Sequence, residues 1–192
     1  HSIEGLAGYS WNNYNYRYST MSNFDFPADD YTFNNMGMGS ALQRGEASMG
    51  TSQNSSRLVG WFARLNYNYA GKYFFSASMR YEGSSKFGEN HKWGNFPAVS
   101  VGWRISDEPF MAETKSWLTD LKLRADYGVT GNQNFDSYKS LNTMQGFGYY
   151  TYNGKYYQVW GPGKNVNPDL RWEKGKNWNI GLDWTLFNGA LY

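Results

Sequence analysis

The 192 residues suffice for one domain with a core, and their makeup narrows the choices: aromatics are 20% and charged residues 18%, with Gly, Asn and Ser filling much of the rest. This excludes a highly charged disordered segment and a Leu-rich helical protein, and points to an all-β fold. A net charge of +2 spread along the chain gives no basic run for nucleic acid, and the absence of cysteine excludes disulfides, thiolate metal sites and thiol nucleophiles.

His1 is not followed by a leader-like pattern, so the chain is expected to begin inside a longer polypeptide. No apolar run is long enough for a membrane helix, but a membrane strand needs only ~10 residues with every second one apolar. "IEGLAGYSW", Ile3 to Trp11, reads as a first strand, although Leu6 blurs its alternation, and residues 12 to 56 read as a long loop. In "RLVGWFARLNYNYA", Val59, Trp61, Ala63, Leu65, Tyr67 and Tyr69 alternate with Gly60, Arg64, Asn66 and Asn68. After a tight turn over residues 70 to 72, the odd positions remain apolar through Tyr73, Phe75, Ala77, Met79 and Tyr81; Phe74 is the exception.

A medium loop over 83 to 96 precedes "PAVSVGWRIS", where Val99, Val101, Trp103 and Ile105 form the apolar set. The connection 106 to 118 suits one or two helical turns, with Ser106 as the expected cap and Pro109 in the first turn. "LKLRADYGVTG" alternates again through Leu121, Leu123, Ala125, Tyr127 and Val129. A long loop over 132 to 171 follows. "NWNIGLDWTLF" then moves the apolar set to even positions, from Trp178 to Leu186, ahead of a tight turn at 187 to 189 and a seventh strand beginning at Ala190 to Tyr192.

Six strands joined by connections that are long at one end and mostly short at the other have the asymmetry of an outer-membrane barrel. A soluble sandwich also alternates, so alternation alone does not separate the two. The polar faces favour the barrel: they carry Asn, Ser, Gly and Thr with single charges, as a lumen wall does, rather than dense Lys and Glu. Tyr67, Tyr69, Tyr73 and Trp103 near strand ends fit an interfacial aromatic girdle. Since ~8 strands is the smallest closed membrane barrel, six would form an arc of antiparallel strands within a larger one.

The stretch "SMRYEGSSKFGENHKWGNFPAVSVGWRIS", followed in order by "LKLRADYGVTGNQ" and "NPDLRWEKGKNWNIGLDWTLFNGAL", closely resembles the barrel of the SusC/RagA family of TonB-dependent outer-membrane transporters. The resemblance runs from Arg57 to Tyr192 and is looser before it. It implies an all-β, 22-strand type transmembrane barrel with long extracellular loops, of which residues 1 to 192 form part, with the plug and TonB box lying outside this sequence. It further implies import of oligosaccharide or peptide across the bacterial outer membrane, powered by the TonB complex through the plug, with a SusD-like surface lipoprotein at the mouth. A secreted carbohydrate-binding sandwich and a passive porin-like barrel are the alternatives.

Candidate lumen-facing residues are Arg64, Asn66, Arg80, Glu82, Arg104, Lys122, Arg124, Asp126 and Asp183, which would meet substrate or simply pair with one another or with the plug. Tyr149, Tyr150, Tyr152, Tyr156, Tyr157 and Trp160 form an aromatic loop set for stacking on substrate, gripping a lid or packing on itself. Gly83 and Gly88 of "EGSSKFG" are expected to supply unusual backbone angles. His91 with Glu89 lacks further ligands for a metal, and Asp29–Asp30 and Asp107–Glu108 lack calcium-loop spacing and read as turn or cap chemistry. "GMGSAL" lacks the third glycine of a dinucleotide fingerprint. With no nucleophile elbow, neither enzyme chemistry nor a cofactor is expected.

Overall fold

The computed structural model describes residues 1–163 and 165–187, so the expected turn after Phe187 and the seventh strand at Ala190 to Tyr192 lie outside the described residues. Eight strands run in chain order: β1 (Ser2–Ser22), β2 (Ser48–Tyr69), β3 (Tyr73–Ser84), β4 (Trp93–Arg104), β5 (Leu118–Asn132), β6 (Met144–Tyr152), β7 (Lys155–Pro162) and β8 (Glu173–Leu186). One sheet has the order β1-β2-β3-β4-β5-β8, and β6 pairs with β7 in a separate hairpin. The chain divides into two compact units, one of His1–Asn12 with Arg57–Tyr192 and the other of Asn13–Ser56.

In the larger unit the expected strands pair antiparallel from β2 through β5 to β8. Ala70 and Gly71 turn β2 into β3 with left-handed φ of 53° and 69°, in a three-residue connection closed by the Lys72 N–H donating to the Tyr69 carbonyl at 3.0 Å. The registers set apolar residues opposite apolar ones. Leu65 faces Ala77, which faces Val99, and Val101 faces Ala125, which faces Ile180. Directly opposed residues share a face, so the odd positions of β2 to β5 and the even positions of β8 make one apolar surface.

Two connections differ from expectation. The segment 132 to 171 is not simply a loop, because it carries the β6–β7 hairpin, turned at Asn153 and Gly154 with φ of 49° and 71°. Between β4 and β5, the expected helical turns are of the 3-10 kind, at Ile105–Asp107 and Pro109–Ser116. Pro109 does occupy the first turn, but Ser106 is no cap: its hydroxyl donates to Asp120 Oδ1 at 2.9 Å.

In the smaller unit, the expected loop 12 to 56 is instead strand through Ser22 and again from Ser48. Tyr14, Tyr16 and Tyr18 alternate on even positions, a signal readable in the sequence. The opposing "SMGTSQNSS" has almost no apolar residue to announce it. The linking segment folds around Asn23, whose amide donates to the Met36 and Gly39 carbonyls at 2.7 and 2.9 Å, and around Ala41, which is fully buried. Arg44 closes it, bonding Asp25, the Ser40 hydroxyl and Glu46.

Candidate functional site

All nine polar candidates fall on the face opposite the apolar one. Arg64 opposes Ser78, Asn66 opposes Ser76, Arg80 opposes Phe96, Glu82 opposes Gly94, Arg104 opposes Lys122, Lys122 opposes Asp183, and Asp126 opposes Ser100 and Asn179. Arg124, between Gly102 and Gly181, completes the set. Several are paired. Arg80 meets Glu82 at 2.6 Å, Arg124 meets Asp183 at 3.2 Å, and Arg104 meets Asp120 at 3.4 Å. The Ser76 hydroxyl donates to Asn66 Oδ1 at 2.7 Å.

Arg64, Lys122 and Asp126 have no ion-pair partner among the described residues. Lys122 instead lies with its ammonium 4.6 Å from the Phe74 ring centroid, and the Arg104 guanidinium lies 5.7 Å from the same ring. This accounts for the one aromatic that breaks the alternation of β3: Phe74 is a cation platform on the polar face. Around it is an open depression of about 480 Å³ lined by Asn66, Ser76, Ser100, Lys122, Arg124 and Asp126, among others.

The apolar face has its own vertical order. At the end with the short β2–β3 turn, Tyr69, Tyr73 and Trp103 stand in line, with centroids 5.9 Å and 6.5 Å apart. At the other end, Tyr9, Trp61, Tyr81 and Trp93 cluster, Tyr81 and Trp93 lying 4.8 Å apart and nearly parallel at 14°. Between the two groups are Ala63, Leu65, Ala77, Met79, Val99, Val101 and Ala125. Tyr73 and Tyr81 are eight residues apart on β3, roughly 26 Å of strand. A strand tilted 35–45° brings this somewhat below the ~25 Å apolar band of outer-membrane barrels.

At the short-turn end, Glu108 is more than turn chemistry. Its carboxylate accepts from the Tyr73 hydroxyl at 2.7 Å and the Trp103 indole N–H at 3.1 Å, with Lys72 at 3.5 Å. These donors, the Tyr73 hydroxyl foremost, hold its carboxyl below the usual 4.5.

At the opposite end, the "SKFG" and "NPDLRW" stretches form a buried knot that the sequence reading missed. Phe87, Phe96 and Trp172 are its centre, with the Phe87 and Trp172 rings 4.6 Å apart. The Lys86 ammonium donates to the Phe135 carbonyl at 2.9 Å, Ser140 to the Lys86 carbonyl at 3.1 Å, and the Trp172 indole to the Lys92 carbonyl at 2.9 Å. Gly88 does not supply an unusual angle, since its φ is −59°; it is required because a Cβ would lie 1.6 Å from the Pro168 carbonyl oxygen. Gly83 likewise has no positive φ, and a Cβ there would meet the Trp93 ring at 2.7 Å. His91 approaches only Asp169, at 3.6 Å, and no cluster of three potential metal ligands occurs among the described residues.

Above this knot the six aromatic candidates stand on β6 and β7, and the register divides them. Tyr150 opposes Tyr157 and Tyr152 opposes Lys155 on one face, whereas Tyr149 opposes Gln158 and Thr151 opposes Tyr156 on the other, which Trp160 shares by its even position on β7.

The TonB-dependent receptor-like β-barrel family model matches residues 2–192. The chain belongs to that family. It is 39% identical over 194 residues to TonB-dependent receptor P39 of Formosa agariphila, covering 100% of this chain and 18% of that protein. It is also 39% identical over 138 residues to TonB-dependent receptor SusC of Bacteroides thetaiotaomicron, covering 70% of this chain and 14% of SusC. Among solved structures, the RagAB peptide transporter superposes with a TM-score of 0.83 at 24% identity, over 97% of this chain and 20% of that one. The chain thus spans less than a fifth of the curated relatives it matches, and its antiparallel sheet is part of a TonB-dependent receptor barrel.

Proposed function

We propose that this chain is a wall segment of a SusC/RagA-like TonB-dependent transporter of the 22-strand type, importing glycan or peptide oligomers across the bacterial outer membrane. The observation that carries this reading is the apolar face: an aliphatic band uncovered within the chain, bounded by aromatic clusters at both ends. Water does not favour such a face, whereas a bilayer satisfies both the aliphatic band and the amphipathic rings at its edges. The opposite face, with Lys122, Arg124 and Asp126 around its depression, lines the conduit. The short-turn end faces the periplasm, and the knot and β6–β7 hairpin face outward. The plug that engages the TonB complex and a SusD-like lipoprotein lid belong to other parts of the assembly.

Single cysteines in the full-length protein test this orientation, and this chain contributes no background thiol. Val101→Cys and Ile180→Cys should resist a water-soluble maleimide in isolated outer membranes and react with it only after denaturation, because a thiol in hydrocarbon does not ionise. Ser100→Cys and Asn179→Cys should react with the same reagent before denaturation. Equal labelling of both sets by the water-soluble reagent would return the chain to a soluble sandwich, and uptake that survives collapse of the proton gradient would favour a passive pore.

A further inference from the structure

The connection between β4 and β5 has two unlike sides. On one, Asp107 lies 3.9 Å from both Arg104 Nη1 and Lys115 Nζ, so its paired charges gather on the side of the polar face that Arg104 occupies. On the other, Glu108 and Phe110 reach residues of the apolar face. The Glu108 carboxylate takes the Tyr73 hydroxyl and the Trp103 indole N–H, and the Phe110 ring meets Trp103 edge-on with centroids 6.5 Å apart. Tyr69, Tyr73, Trp103 and Phe110 thereby stand in one continuous row of rings, three from strands and the last from the 3-10 segment.

We infer that this segment lies along the bilayer surface at the short-turn end, with Phe110 wedged at the boundary between phospholipid headgroups and acyl chains and Glu108 holding it against the strands. Three observations select lipid as the partner. A row of rings that ends an aliphatic band belongs at the membrane–water boundary, and Phe110 extends that row beyond the last strand residue. The polar tips of Tyr73 and Trp103, which at such a boundary commonly bond to water or headgroups, are instead both taken by Glu108, whose side chain is only 11% exposed. What the row turns outward is therefore apolar, and its newest member, Phe110, has no polar tip at all and is 66% exposed. Position supplies the third observation: β4 and β5 are inner strands, flanked by β3 and β8, so strands from the rest of the polypeptide join the sheet beside β1 or β8 and do not cover Trp103 or Phe110. Glu113 follows Phe110 by one 3-10 turn, which keeps the segment at headgroup level and out of the hydrocarbon. This inference rests on the transporter reading, and it adds an anchor that fixes how deeply the wall sits in the bilayer.

The test uses the full-length protein, otherwise free of cysteine, in nanodiscs of phosphatidylethanolamine and phosphatidylglycerol. A nitroxide is attached at Phe110→Cys, with Val101→Cys as the lipid reference and Ser100→Cys as the water-facing one. Power saturation then compares collisions with oxygen, which partitions into lipid, against those with a water-soluble nickel chelate. The oxygen-to-nickel ratio at Phe110→Cys should fall between the two references. Adding Glu108→Ala should shift it toward the Ser100→Cys value, and Glu108→Gln, which keeps one acceptor oxygen, should shift it less; the Gln variant carries the test where the Ala variant does not assemble. A ratio equal to that of Ser100→Cys would put the segment in periplasmic water, and poor collision with both reagents would show that another part of the polypeptide covers it. A ratio unmoved by either Glu108 variant would remove the clamp. Each of these outcomes overturns the inference and leaves the transporter reading standing, whereas a Val101→Cys ratio no higher than that of Ser100→Cys would remove the membrane reading itself.

Discussion

The six-stranded sheet and the knot beneath the hairpin keep their apolar groups in opposite ways. On the sheet, Val101, Ile180 and Leu182 are 50%, 66% and 55% exposed, while in the knot Phe87 and Trp172 are 1% and 7% exposed. The knot is a small water-type core, stabilised by burial within the chain. Among the described residues the sheet has no such core on its apolar side, and in the proposed transporter its hydrophobic residues find an apolar environment in the bilayer. A single chain therefore carries two kinds of hydrophobic logic, and substitutions should separate them.

The largest effect is expected in the knot. Phe87→Ala removes a fully buried ring from between Phe135 and Trp172, at a cost of about 3–5 kcal/mol. Its signature should be local: faster hydrogen exchange in residues 133–143 and 165–172, with the strand amides of β3 and β4 still protected. Loss of protection across the whole sheet would show that the knot and sheet fold as one unit. Next comes Val101→Arg, which should cost about 2–4 kcal/mol if the position lies near the bilayer midplane and should reduce the folded, heat-modifiable band on electrophoresis. Ser100→Arg, on the other face, should assemble normally, and equal losses in the two would erase the distinction between the faces.

The smallest effect concerns the Glu108 clamp. Its folded-state pKa lies below the ordinary 4.5, chiefly through the Tyr73 hydroxyl. Its contribution is therefore complete above that ordinary value and is lost as pH falls through the lower folded value. Protection factors in residues 105–117, taken relative to the intrinsic exchange rate at each pH, should fall as the pH drops through that window, and Glu108→Gln should remove that fall. A clamp that loosens instead on going alkaline from neutral would contradict the assigned donors.

Much of the sheet was legible because a strand with two unlike environments writes a period of two into its residues, as Leu65 to Tyr69 and Leu121 to Val129 do. The nine polar candidates were found by the same parity. The outer halves of β1 and β2 were missed, since Tyr14, Tyr16 and Tyr18 stand opposite a segment with almost no apolar residue. The hairpin was legible as an aromatic run but not as two strands, because Gly, Asn and Tyr suit loop and edge strand alike. Phe87 and Trp172, 85 positions apart in sequence, carried no local sign that they would meet.

The sequence by itself determined which residues share a face, where the tight turn falls and which family's barrel this is, because periodicity, turn chemistry and ordered motifs are local properties of the chain. Only the tertiary structure decided that Phe74 serves as a cation platform, that Gly88 answers to the Pro168 carbonyl and that the tyrosines of one loop divide between the two faces of a hairpin. Each of these depends on what lies across a strand or beyond a long connection, and distances of that kind are set by register and closure rather than by neighbouring residues.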